Sequence, residues 1–230
     1  QNLEKEFALE LDNRQKNIFE LAGEPFNINS PKQLSGILFT KLKLPIIKKT
    51  KTGISTDSSV LEQLRKDYSI AEELMRYREL DKLQNTYVKA LPRLVNIRSN
   101  KIHTSFNQTI VATGRLSSTN PNLQNIPVRS KEGIKIRKAF IPSKPENCIM
   151  SADYSQIELR IMAHLAQDEN MIQAFLQGQD IHSSTASVVF NVPLAEVTKE
   201  LRQQAKAINF GIVYGISAYG LARNLGIKPA

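Results

Sequence analysis

Cysteine is almost absent from this chain. A single residue, Cys148, among 230 cannot form an internal disulfide, which suits a reducing cytosol and not a disulfide-stapled secreted scaffold. No apolar run is long enough to span a bilayer, and no segment has the order of a secretory signal. The expectation is a cytoplasmic protein with no membrane partner. No internal repeat or low-complexity tract interrupts the sequence. Acid is scarce in one stretch: Lys101 to Ala152 holds eight Lys/Arg against two Asp/Glu, whereas Asp153 to Ala230 holds six against seven.

What is present is a basic chain, with formal charge +9, long enough for a sizeable core in one or two domains. A basic stretch beside a near-neutral one suits a polyanion on one side. A solvated basic surface would have the same composition. The segment KLKLPIIKKTKTGIST carries five lysines from Lys41 to Lys51 and no acid across them. It reads as a loop that touches phosphate or as a solvated linker, and the loop alone favours the linker.

The amino-terminal part reads as helices. Leu3, Phe7, Leu11, Ile18 and Leu21 recur at helical spacing and stop near Gly23 and Pro25. Ser30-Pro31-Lys32-Gln33 is a capping box with proline at the first helical position. Ser69 with Glu72 repeats the box and opens a long helix toward Leu91 and Pro92. Strand signals follow: Ile102 to Phe106 alternates, Ile134 to Arg137 alternates with both cations on one face, and Cys148 to Ala152 is a short apolar run. Helices then resume over Gln156–His164, Glu169–Gln177, Ile181–Phe190 and Thr198–Tyr214.

Arg202, Lys206, Phe210 and Tyr214 recur every fourth position in RQQAKAINFGIVYG, near one face of a helix. That order suits an anion at one end and a flat ring at the other, as in a nucleoside triphosphate. The spacing alone favours an amphipathic helix with an aromatic core stripe and snorkelling cations. Gly211 and Gly215 weigh against it, since each costs a helix about 1 kcal/mol unless something approaches closely. In NCIMSADYSQIELRIMAH, Asp153 ends the apolar run. A carboxylate there can hold Mg²⁺ through oxygen or cap the following helix, and the cap is the commoner use.

These segments carry a resemblance. DYSQIELR resembles motif A of the family A DNA polymerases, and RQQAKAINFGIVYG resembles their motif B, R-x3-K-x3-F-G-x2-YG. TGRLSSTNPNLQNIPVR, from Thr113 to Arg129, resembles a third family signature. AGEPFNINSPKQL and ILFTKLKLP are similar to the thumb of bacterial members. The motifs occur in the family's order along essentially the whole chain. The resemblance implies an α+β, mostly helical, incomplete right-hand fold: a helical thumb (1–100), the first part of a small, mainly antiparallel palm sheet (101–165), and the first part of helical fingers (166–230). It implies template-directed nucleotidyl transfer from dNTPs to a primer on template DNA, by a monomer using two Mg²⁺ ions.

Residue by residue, the resemblance makes Asp153 a metal-bridging aspartate, with the Tyr154 carbonyl as a further ligand. Arg202 and Lys206 would hold the triphosphate, and Lys206 would give a proton to the leaving pyrophosphate. Tyr154, Gln156, Glu158, His182, Phe210 and Tyr214 would surround the nucleotide, with Glu158 blocking a ribose 2′-hydroxyl. His182 taken alone is an ordinary first-turn helix histidine. Lys48, Lys49 and Lys51 would lie at the thumb tip on duplex DNA. Arg115, Gln124, Asn125 and Arg129 would lie near the primer-template, checking pair shape more than sequence. The family's second aspartate, from a later His-Asp-Glu motif, has no counterpart in these 230 residues, so the segment is expected to be inactive alone. A non-catalytic DNA-binding module stays open as an alternative, as does a relative of the single-subunit RNA polymerases.

Overall fold

The structure of the chain, a computed structural model, describes residues 2–51, 53–128 and 130–225. Its contacts separate two compact units, Gln1–Ile149 and Met150–Ala230.

The first unit is built on α1 (Asn2–Ala22), which buries Phe7, Leu11, Ile18 and Ala22, the stripe read from the sequence. It ends where Gly23 turns to φ +72° and donates its amide to the Glu20 carbonyl at 3.1 Å. α2 (Pro31–Ser35) starts at the expected box, with the Ser30 side chain accepting from the Gln33 amide. The return arm differs: Gln33 Oε1 accepts from Asn27 N at 2.7 Å, which fixes the preceding turn. A π-helical turn follows over Gly36–Lys41.

The lysine-rich segment that read as a loop closes in a short hairpin, β1 (Lys49–Thr50) against β2 (Gly53–Ile54). Asp57 then caps α3 (Ser58–Leu64) by accepting from Val60 N at 3.0 Å. α4 (Ser69–Leu83) begins at Ser69, but the cap position is Tyr68 and no side chain caps it. The long helix expected toward Leu91 is therefore uncapped. It also changes pitch through a π-helical turn at Gln84–Val88 before α5 (Ala90–Arg93). Buried Gln84 reaches the Glu4 carbonyl there at 3.4 Å. α1 and α3 both pack on α4. Phe7, Ile18, Leu34, Leu38, Val60, Leu61 and Leu74 are closed to solvent, and each such side chain contributes about 1.5–3 kcal/mol relative to exposure.

Three two-stranded antiparallel ladders complete the strand content among the described residues. They are β1–β2, then β3 (Val95–Asn96) with β4 (Lys101–Ile102), and β5 (Ser105–Asn107) with β6 (Ser117–Thr119) in register Phe106↔Ser118. Three strand expectations are corrected. The alternating run Ile102 to Phe106 is not one strand: it divides between β4 and β5, which pair with different partners, and His103 and Thr104 lie between them outside any strand. Residues 134–137 belong to a helix, α6 (Lys131–Arg137), because Ser130 caps it by accepting from Gly133 N at 3.1 Å. A four-residue alternation is a weaker signal than a cap with an acid in the first turn. Cys148–Ala152 is not a strand: no described segment pairs with it, and Ile149 and Met150 are 62% and 85% exposed. A strand needs a hydrogen-bonded neighbour that local sequence does not supply.

The second unit is helical: α7 (Ile157–Ala166), α8 (Glu169–Leu176), α9 (Ile181–Phe190), α10 (Lys199–Val213) and α11 (Ala218–Leu225). Asp168, Asp180 and Thr198 cap α8, α9 and α10 through their side chains. α9 lies along α10, and Leu159, Ala174 and Ile181 form a small core. The class expected from the sequence, mostly helical α+β with small antiparallel sheets, is the class observed.

Candidate active site

α10 positions the first part of the site. Thr198 accepts from Leu201 N at 3.3 Å and starts the helix so that Ala205 and Ile208 face inward. Arg202, Lys206 and Phe210 then share the wall of an open cleft of about 500 Å³, entirely within the second unit. Asp153 through Leu159 and His182 line the rest of it. Phe210 and Tyr214 stack at 6.2 Å and 15°, and Lys206 Nζ sits 5.9 Å from the Phe210 ring centre. The order read from the sequence, cations first and rings second, is the order along α10, and Tyr214 lies outside the lining of the cleft.

Each glycine has a reason within the chain itself. A Cβ on Gly211 would lie 2.9 Å from Ile216 Cγ2, so the close approach there comes from the chain itself. Gly215 takes φ +72° just past the helix end, with Ile216 N bonded to the Gly211 carbonyl at 2.8 Å.

Asp180 is the strongest electrostatic feature of the cleft's surroundings, and the sequence motifs do not include it. Arg202 donates to it through Nε at 2.7 Å and Nη2 at 3.0 Å. Burial raises the affinity of this carboxyl for a proton, but Arg202 and Ser183 outweigh it and hold the group well below the usual carboxylate range. The signal that could have found it is its place: an aspartate capping α9 two residues before His182 and three before Ser183.

His182 is 3% exposed. Burial lowers its pKa; Asp180 opposes this, while Arg202 and Lys206 add to it. The ring is therefore neutral near pH 7. Asn209 Nδ2 lies 3.1 Å from its Nδ1. With that amide donating, Nε2 carries the proton. The ring also tilts against Phe210 at 5.7 Å.

The turn before α7 supplies another part of the lining. The cap position is Gln156, in left-handed conformation at φ 54°, so Asp153 is not the helix cap. Asp153 and Tyr154 are exposed. Arg160 secures the turn from behind, donating to the Ser155 carbonyl at 3.0 Å with its guanidinium 4.5 Å over the Phe175 ring. Glu158 accepts from the Tyr214 hydroxyl at 2.6 Å, which joins two of the expected nucleotide residues.

A two-ion metal centre needs several oxygen donors. Asp153 offers one carboxylate, and no cluster of three or more His, Cys, Asp or Glu that could hold a metal occurs among the described residues. This donor set does not by itself fit the expected Mg²⁺ pair.

The expected DNA-contacting residues lie in the first unit. Lys48 is paired with Asp57 at 2.7 Å, while Lys49 and Lys51 are exposed. Arg115, Gln124 and Asn125 are exposed on the segment after β5. That segment is pinned from inside: Thr104 Oγ1 donates to the Pro121 carbonyl at 2.7 Å, Leu123 N donates to Ser118 Oγ at 3.0 Å, and the Tyr87 hydroxyl donates to the Asn125 carbonyl. Arg129 lies outside the described residues. No helix of the described residues is long and apolar enough to cross a membrane.

Comparison with known proteins agrees with the geometry. The family model described as DNA polymerase family A matches residues 1–230. DNA polymerase I of Geobacillus stearothermophilus is 56% identical over 222 residues, covering 96% of this chain and 25% of that protein. The thermostable DNA polymerase I of Thermus thermophilus is 51% identical over 229 residues, covering 99% of this chain and 27% of that protein. The chain thus spans about a quarter of the length of these curated relatives. A solved structure, the POL domain of Pol1 from M. smegmatis in complex with DNA primer-template and dNTP, superposes with TM-score 0.93 at 46% identity. It is matched over 99% of this chain and 40% of that one.

Proposed function

The chain belongs to DNA polymerase family A, and from that premise we propose that the protein performs template-directed DNA synthesis, adding nucleotides from dNTPs to a primer 3′-hydroxyl in replication and repair. The observation that carries the reading is one cleft lined by Arg202, Lys206 and Phe210 together with Asp153, Tyr154 and Glu158. In the reaction the primer 3′-hydroxyl gives its proton to water, its oxygen bonds to the α-phosphorus, the bond to the bridging oxygen breaks, and pyrophosphate leaves. Arg202 and Lys206 take the triphosphate, and Lys206 returns a proton to the departing pyrophosphate. Neutral His182 contributes a hydrogen bond without adding charge. Phe210 carries the sugar, and Tyr214 holds the Glu158 carboxylate where a 2′-hydroxyl would need room.

Asp153 and the Tyr154 carbonyl would contribute oxygens to a Mg²⁺ site, which would need further carboxylates that the described residues do not supply. In the functional division, residues 1–100 act as thumb, 101–165 as palm and 166–230 as fingers. Lys49, Lys51, Arg115, Gln124, Asn125 and Arg129 meet primer-template phosphates and minor-groove edges. Lys48 is already held by Asp57 and contributes less.

Primer extension and duplex affinity test this reading together. The full-length protein extends a primer only on a template, whereas residues 1–230 alone do not. The segment keeps weak, sequence-independent duplex binding that falls with salt, with a log–log slope of about −0.9 per phosphate contacted. Template-dependent extension by residues 1–230 would refute the account of the incomplete metal site. Salt-independent binding would detach the basic surface from DNA.

A further inference from the structure

We infer that Asp180 is a positioning residue for nucleotide binding, holding Arg202 by one edge so that the other edge meets the triphosphate. The inference rests on the nucleotide-site reading of α10. Asp180 accepts from Arg202 Nε at 2.7 Å and Nη2 at 3.0 Å, from Ser183 N at 3.0 Å and Oγ at 2.6 Å, and from Gln156 Nε2 at 3.2 Å. A carboxylate has about four acceptor sites, so these five donors saturate it. The donors come from three places: the turn carrying Asp153 and Tyr154, the start of α9 beside His182, and α10. One side chain therefore fixes the relative placement of the groups lining the cleft.

The geometry decides between holding Arg202 ready and holding it back. A guanidinium has a side edge, Nε with Nη2, and an end edge that includes Nη1. Asp180 takes the side edge and no hydrogen from Nη1. The Arg202 side chain keeps 42% of its exposure, so an anion can reach it without breaking the clamp. Swinging the arginine away would break two short charge-assisted bonds and leave a carboxylate that is only 32% exposed without its cation. Asp180 therefore prepares the arginine in advance and does not compete with the phosphate for it.

The test uses Asp180→Ser in the full-length protein. Serine keeps a helix-capping hydroxyl for α9 but cannot hold both guanidinium nitrogens. Single-turnover nucleotide incorporation should lose about 10- to 100-fold in nucleotide efficiency, the scale of a misplaced binding group, while duplex affinity stays at the parental value. Asp180→Asn keeps the cap and one acceptor oxygen and should lose less; it serves if the serine variant folds poorly. In an Arg202→Ala background Asp180→Ser should add less than about 2-fold, because the two act as one unit. Unchanged nucleotide efficiency in Asp180→Ser, with Arg202→Ala impaired, would overturn the inference alone. So would a full effect of Asp180→Ser in the Arg202→Ala background, which would mark a structural role in α9. An Arg202→Ala variant with parental nucleotide handling would remove the triphosphate reading of α10 and this inference with it.

Discussion

Gly211→Ala sets two opposed effects against each other inside α10. Alanine favours a helix interior by about 1 kcal/mol over glycine. The new Cβ, however, would lie 2.9 Å from Ile216 Cγ2 and 3.5 Å from its Cβ and Cδ1. Cγ2 sits on a branched Cβ whose χ1 is stiff, so it cannot yield as a flexible tip would. Overpacking of this kind costs about 1–3 kcal/mol. The clash wins, leaving a net loss near 1 kcal/mol, or about 5-fold in the local opening equilibrium. Hydrogen exchange of the α10 amides reads this directly. Gly211→Ala should lower protection across Lys206–Val213. In an Ile216→Ala background the clash is gone, and the same substitution should raise protection by about the propensity difference of 1 kcal/mol. A gain of protection from Gly211→Ala in the otherwise unchanged chain, or the same sign in both backgrounds, would refute the reasoning.

Glu158→Ala in the full-length protein should loosen sugar selection by roughly 10- to 100-fold, the scale on which a pocket rejects a small extra group, read as the ratio of kcat/KM for deoxy- and ribonucleotides. An unchanged ratio would remove Glu158 from the gate. Asp57→Ala should cost about 1 kcal/mol of stability at pH 7 in urea unfolding, because it removes the α3 cap. Lys48 and then Ser59 hold the folded Asp57 carboxyl well below the ordinary carboxylate range, so its contribution is present above that range and is lost as pH falls from it through the depressed folded value. The gap between parent and variant should therefore narrow on acidification; a gap that widens would contradict the assigned bonds.

Local signals were legible. α10 starts one residue after Thr198 because a cap and a helical period both act within a few residues. α1 was legible from its apolar period alone. Elements that depend on distant partners were not. Cys148–Ala152 has the composition of a strand, yet pairing comes from elsewhere in the fold. Ile134–Arg137 alternates, yet Ser130 and Glu132 make it a helix. Within the site, the four-residue spacing of Arg202, Lys206 and Phe210 was visible because it lies on one helix. The Asp180–Arg202 clamp was not, since its members stand 22 residues apart. The reason for Gly211 lies with Ile216, across a turn whose course the sequence did not reveal.

Lys206 offers the most direct test of the central claim, that the α10 face grips the triphosphate of an incoming nucleotide. The measurement is single-turnover incorporation by full-length Lys206→Ala, with primer-template affinity determined in parallel. The account predicts a slower chemical step with duplex affinity unchanged. A large loss of duplex affinity with nucleotide handling intact would show that the face meets DNA and not the triphosphate.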